Sequence, residues 1–481
     1  MKKILVLIVL MCFSIVLIGC SETTTTTLTT TESQTTTTTT TVRESSSTTT
    51  QGTVAKEISL SYADWADPEI NQMLIDAFMV KYPHIEVSLR KDITGTGGAF
   101  TNNLLNAQAA QTLPDVFAID NVPTGLYNGM IREITEYWDN DPETDLVYDN
   151  IADTAVYDGK RYALPSFQFI KGIGMNLTIF DKYNIPIPDK DWTYEEMIAI
   201  AREIRLAGKA DYVYGIDGLE GVGLDFELIF PTMDAVDVGY NTWDGTQFNF
   251  TSQAWIDAFN LELDLIAENV LAAYTEEELA IIGDGWPWVE GYAGMKIEGT
   301  YNFGYVESMF NNGFEFGFWP YPGGEAGQFP PTIIDYAVVS SQTDYPEEAY
   351  LLAKWMTFGK EGWMLRLDAM HERGDLFIDR FPVSDVPEIW AKIDEYHLTD
   401  YIEGLAENVD LLPYAKPDVD KWLPGYKEFW AWVSSEENDY WTKIYNNEVT
   451  PEVFASEWET QINTMISTAL EEWKNSIDET N

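Results

Sequence analysis

Strand and helix patterns alternate along this chain, and that alternation predicts an α/β fold arranged as two lobes. Two further observations support it. Behind a Thr-rich leader about 430 residues remain, more than a single hydrophobic core covers. Beyond Ile18 no apolar run suggests a membrane span.

The leader comes first. Met1-Lys2-Lys3 is a short positive start, and Ile4 to Ile18 is almost wholly apolar, too short for a bilayer but laid out like a secretory signal. Leu17-Ile18-Gly19-Cys20 resembles a bacterial lipobox. That resemblance implies a signal peptide over residues 1–19 and lipidation of Cys20, with the mature chain anchored on the outer face of the cytoplasmic membrane. Between Ser21 and Thr53, 19 of 33 residues are Thr and only Leu28 and Val42 are large and apolar. Such a stretch cannot bury enough surface to offset its ordering entropy. Residues 20–53 are therefore expected as a lipidated cysteine and a disordered linker with a reach of about 30 Å.

In the body, Ile58-Ser59-Leu60-Ser61-Tyr62 alternates as a strand does. Asp67-Pro68-Glu69 opens a helix with a capping side chain, proline in the first turn and an acid behind it. Ile70, Leu74, Ala77 and Phe78 carry its apolar stripe until Pro83. Ile85–Leu89 is a second strand, Phe100–Gln111 a helix and Asp115–Ile119 a third strand. Thr193-Tyr194-Glu195-Glu196 is a capping box, opening a helix that ends at Gly208. Later helices are expected over Trp255–Asn269, Glu347–Phe358 and Val453–Trp473.

Composition excludes several function classes. With 28 Lys+Arg against 79 Asp+Glu the formal charge is −51, which repels nucleic-acid phosphate and disfavours a strongly anionic ligand. Cys12 leaves with the signal and Cys20 takes the lipid, so cysteine supplies no disulfide, metal site or nucleophile to the mature fold. His84, His371 and His397 lack metal-ligand spacing, and the acidic stretch Asp139–Asp145 contains a proline and lacks a calcium loop's glycine. No metal or cofactor is expected. Gly95-Thr96-Gly97-Gly98-Ala99-Phe100 lacks the last glycine of a dinucleotide fingerprint and reads as a mobile loop.

Seven segments in order resemble the extracellular solute-binding protein family 1, which serves carbohydrate ABC importers. They are Phe78–Val87, Leu113–Phe117, Asp158–Pro165, Met175-Asn176 ahead of Ile179-Phe180, Asp191–Glu196, Ala293–Tyr301 and Tyr345–Ala349. The resemblance spans roughly residues 58–360 and is less clear over the last hundred. It implies a two-lobed periplasmic-binding-protein-like fold, mixed sheets flanked by helices, with a hinge between the lobes and solute held in the cleft. Crossings are implied near Leu164-Pro165, Pro331-Thr332 and Phe381-Pro382. Lobe 1 would then take residues 54–164 and 332–380, and lobe 2 residues 165–331 and 381–481.

A sugar presents C–H faces that stack on rings and hydroxyls that form hydrogen bonds, so its site wants Trp or Tyr beside polar side chains. Ligands of open α/β sheets sit beyond the carboxyl ends of strands. That places Asp64 and Trp65 after the first strand and Asp120 and Asn121 after the third as substrate-binding candidates. Gln168 is expected at a cleft-facing turn beyond the first crossing. Tyr301, behind Glu298, stands where the family commonly places a stacking ring. Asp335 and Tyr336 are expected to open the strand after the second crossing, and Trp286, with Trp288, to line the second lobe. The implied partners are a carbohydrate ligand and ABC permease subunits with their ATPase; a monomer without enzymatic activity is expected. The rivals are a surface glycoside hydrolase, which needs two carboxylates about 5–10 Å apart, a stalked adhesin, and the same fold with a non-sugar solute.

Overall fold

The computed structural model describes residues 58–217, 226–235 and 238–480. The chain divides into residues 1–55 and a unit of residues 56–481, and everything described belongs to the second. The expected signal peptide, Cys20 and the Thr-rich linker lie outside the described residues. Among those described, no helix is long and apolar enough to cross a membrane.

Among the described residues eleven strands form: β1 (Ile58–Ala63), β2 (Ile85–Leu89), β3 (Val116–Ile119), β4 (Val156–Tyr157), β5 (Lys160–Arg161), β6 (Leu164–Asn176), β7 (Tyr214–Asp217), β8 (Ala293–Gly299), β9 (Phe316–Pro320), β10 (Pro331–Val339) and β11 (Lys416–Pro417). Nine make a mixed sheet ordered β2-β1-β3-β10-β6-β8-β7, with β11 beside β10 and β9 beside β6; β4 and β5 pair separately. The β1, β2 and β3 pairings are parallel, and β10 runs antiparallel to β3 and β6. All four residues of β3 are buried, as a strand covered on both faces requires.

The helix signals hold locally. The Asp67 carboxylate accepts from the backbone N–H of Glu69 at 2.9 Å and Ile70 at 3.3 Å, capping helix Pro68–Lys81. Thr193 and Glu196 form the reciprocal capping box of helix Tyr194–Gly208. The second helix, by contrast, starts at Gly97, three residues before Phe100, so the glycine stretch is partly helical rather than a loop. Phe100 and Leu104 are wholly buried, and their packing draws the two glycines into the first turn despite their poor propensity.

Two cores form. The first gathers Leu60, Phe78, Phe117, Ile119, Val338 and Trp363; the second gathers Met197, Ile216, Trp255, Met295, Phe429 and Trp458. Phe381–Leu412 packs on the first core and Val419–Ile466 on the second. β6 joins them. From Leu164 to Ile170 it pairs with β10, and from Lys171 onward it runs between β8 and β9. Its backbone passes from one core to the other without a break in pairing.

This handover needs glycine. A Cβ on Gly172 would lie 2.7 Å from the Phe318 ring and from the Trp319 carbonyl oxygen, whereas one on Gly98 would meet nothing within 4 Å. Gly172→Ala is therefore expected to cost about 1–3 kcal/mol of stability, and Gly98→Ala, inside a helix, to be neutral or stabilising by up to about 1 kcal/mol. Urea unfolding checks the pair. Equal loss from both would contradict close packing at the handover.

Candidate functional site

The first candidates sit where β1 and β3 end. The Asp64 carboxylate accepts from the Tyr62 hydroxyl at 2.7 Å and the Ala66 N–H at 2.8 Å, which fixes the turn after β1. Trp65 is half-buried, edge-on to Phe100 at 5.1 Å, with the Lys421 ammonium 6.0 Å from its ring. Asp120 accepts from the Lys427 ammonium at 3.1 Å. Its neighbour Asn121 is buried and turned inward. The Asn121 Oδ1 caps helix Val122–Tyr127 by accepting from the Thr124 N–H at 3.0 Å, and Nδ2 donates to the Asp420 carbonyl at 2.8 Å.

β6 and β10 supply the middle. Gln168 lies inside β6 rather than at a turn, because the strand continues to Asn176. It is fully buried: its backbone pairs with Phe381 in both directions and Nε2 donates to the Pro382 carbonyl at 2.6 Å. The strand's two-residue period puts Phe167, Phe169 and Lys171 on the opposite face. Asp335 lies directly across from Phe167 and pairs with the Lys421 ammonium. Asp335 and Tyr336 stand mid-strand in β10, where a bulge separates them, rather than at its opening. Tyr336 enters the first core, and burial holds its phenol well above the usual range.

Tyr301 belongs to a 3-10 turn, Thr300–Tyr305, that follows β8. It is 44% exposed and edge-on to Phe169 at 6.1 Å. Glu298 is buried and engaged, accepting from Asn302 Nδ2 at 2.9 Å and the Tyr305 hydroxyl at 3.1 Å. Trp286 is half-buried, edge-on to Tyr305 at 5.1 Å and 5.0 Å from the Lys296 ammonium. That lysine pairs with Asp217 at 3.5 Å, both side chains being buried. Burial pushes the Asp217 carboxyl up to about 6, against the pull of Lys296. Trp288 is wholly buried in the first core.

The structure thus brings Asp64, Trp65, Asp120, Asp335 and Tyr301 to one band along the seam of the two cores. Asn121, Gln168, Glu298 and Tyr336 are enclosed by their own bonds or by core. Several residues of the band carry no sequence signal. The Arg380 guanidinium lies 5.4 Å from the Phe167 ring and 5.8 Å from the Phe169 ring. Arg366 lies 4.8 Å from the same Phe167. Burial, with the like charge of Arg380, depresses Arg366 to about 10. Lys421 is drawn down by burial, but Asp335 above all outweighs this and raises it. Asp418 and Asp420 sit beside it. Burial and then the Asp418 charge push Asp420 up to about 6. Such a band of rings, carboxylates and cations can hold a polar ligand by stacking and paired hydrogen bonds. Among the described residues no group of His, Cys, Asp and Glu could hold a metal ion.

The model of the bacterial extracellular solute-binding protein family matches residues 62–360, more than half of the chain, and the chain belongs to that family. No curated protein matches significantly. Among solved structures, an ABC substrate-binding protein of Listeria monocytogenes in complex with cycloalternan is similar at 18% identity and TM-score 0.60, covering 85% of this chain and 99% of that one. The sugar-binding protein MalE of Xanthomonas citri is similar at 16% identity and TM-score 0.63, covering 88% and 100%. The cyclic α-maltosyl-1,6-maltose binding protein of Arthrobacter globiformis is similar at 17% identity and TM-score 0.62, covering 85% and 99%. These likenesses show the two-lobed fold.

Asp420 supplies a pH test. Its folded value of about 6 exceeds the ordinary 3.8, so the folded state binds the extra proton between those values and gains stability as pH falls through them. Asp420→Asn, which mimics the protonated form, is expected to raise the melting temperature at pH 7.5 and to give a smaller gain at pH 5. A gain of the same size at both pH values would show that the carboxylate is not held in its neutral form by the fold.

Proposed function

We propose that this bacterial extracellular solute-binding protein is the capture subunit of an ABC importer, taking a mono- or oligosaccharide into the band between its two cores and passing it to a membrane permease without chemistry. Tyr301 carries this reading. A large ring left 44% exposed on the turn after β8 and edge-on to Phe169, whose other neighbour Arg380 feels the charges of Asp64 and Asp335, offers a sugar a stacking face. Cys20 would carry the lipid anchor, and residues 21–53 would hold the body off the bilayer. The similar structures include sugar-binding proteins, which supports the ligand class.

In this mechanism the two cores flex about the strand they share, and the ligand favours the closed arrangement by the extra contacts it makes there. Stacking and its burial contribute about 1–3 kcal/mol per ring, and several hydrogen bonds of about 1 kcal/mol each bring the total near the ~8 kcal/mol of micromolar binding.

Intrinsic Trp fluorescence titrated with a panel of neutral sugars tests it. Saturable micromolar binding with the sugar recovered intact is expected, and Tyr301→Ala is expected to weaken it by about 10-fold or more. Release of shortened products would make the protein a hydrolase. Unchanged affinity in Tyr301→Ala would remove the ring from the site.

A further inference from the structure

Arg380 is held more tightly than a surface arginine and yet keeps part of its hydrogen-bonding capacity. Its neighbour Phe381 is pinned by two backbone hydrogen bonds to Gln168 of β6, so the backbone beside Arg380 is fixed to the shared strand. The guanidinium is set between Phe167 and Phe169, at 5.4 and 5.8 Å. Nε donates to Asp379 Oδ1 at 3.0 Å and Nη2 more weakly to Oδ2 at 3.5 Å. Among the described residues Nη1 has no protein acceptor. The side chain is 24% exposed, so that edge is open to a ligand.

Two neighbours say what such a ligand looks like. Phe169 is a common neighbour of Arg380 and Tyr301, at 5.8 and 6.1 Å from its ring, so the stacking face and these donors flank one side chain. The cations around Arg380 are also matched by carboxylates. Arg366, Arg380 and Lys421 face Asp64, Asp335 and Asp379, with Asp64 and Asp335 both within electrostatic reach of Arg380, and Asp120 and Asp418 act on Lys421 as well. In a chain of net charge −51 this leaves no surplus cation for an anionic ligand. A hydroxyl suits it, because it accepts from the guanidinium while donating to a carboxylate. Asp64 retains lone pairs beyond the two donors it already accepts.

We infer that Arg380 is a specificity-determining residue, its Nη1 edge donating to a hydroxyl of a neutral sugar ring laid on Tyr301, with Asp64 and Asp335 accepting from the adjacent hydroxyls. This rests on the sugar-binding reading above and narrows it to unionised sugars with neighbouring free hydroxyls.

The test titrates wild type, Arg380→Gln and Arg380→Lys with neutral mono- and oligosaccharides, maltose, xylobiose and tagatose among them. The tightest binder is then followed through its monodeoxy analogues and its uronate, with thermal melting confirming that each variant is folded. Arg380→Gln is expected to weaken the parent sugar by about 10- to 100-fold and Arg380→Lys by less. One deoxy analogue, already weak with wild type, should lose nothing further in Arg380→Gln, and the uronate should bind worse than the parent. A folded Arg380→Gln that binds like wild type overturns the assignment and leaves the sugar reading standing. So does an equal loss for the parent and every deoxy analogue, which is what a merely structural arginine gives. A wild type that binds no neutral sugar overturns both.

Discussion

One strand is common to both halves of this molecule. β6 runs 13 residues and exchanges partners between Ile170 and Lys171, from β10 to the pair β8 and β9. Both cores therefore press on a single backbone, and every hydrogen-bonding group along it must be satisfied from one side or the other. Gly172 and Gly174 admit Phe318, Phe316 and Trp288 against that backbone. On the facing strand, Asp335 stands level with Phe167. The site is thus assembled on the element least able to shift without disturbing both cores.

Charge at the seam follows from that placement. A carboxylate or guanidinium taken partly out of water must be paired, since an uncompensated buried charge costs several kcal/mol. Asp335 with Lys421, Asp379 with Arg380 and Asp120 with Lys427 meet the requirement. Two of these pairs join chain segments more than 80 residues apart, so the pairing also ties Lys421 to the middle of β10 and Lys427 to the end of β3. Asp217 and Lys296 show the same rule deeper in the second half. The overall acidity extends to the seam, where each of these cations is matched by a carboxylate.

Much of this could be read from residue order, and the remainder could not for definite reasons. β1, β2 and β3 announce themselves because alternation and short apolar runs survive burial. Asp64, Trp65 and Asp120 are legible as positions, since residues after strand ends gather on one side of a parallel sheet, whereas Tyr301 is legible only through the resemblance to the family. β6 is hidden as a strand because Lys171, Gly172 and Gly174 interrupt its apolar run, and their sense appears only beside Phe318 and Trp319. Gln168 looks like a cleft residue by its place after Pro165, but the strand's period turns it away from Phe167 and Phe169. Lys421, Lys427 and Arg380 lie in or near the C-terminal stretch where resemblance to the family fades, and only the tertiary pairing reveals them.

Hydrogen–deuterium exchange with and without a saturating neutral sugar tests the central claim most directly, that the ligand is held along the strand shared by the two cores. Slowed exchange is predicted in peptides covering residues 164–176, 300–305, 376–384 and 418–427, and around Asp64 and Asp335. A bound sugar that protects other segments and leaves these alone would contradict it.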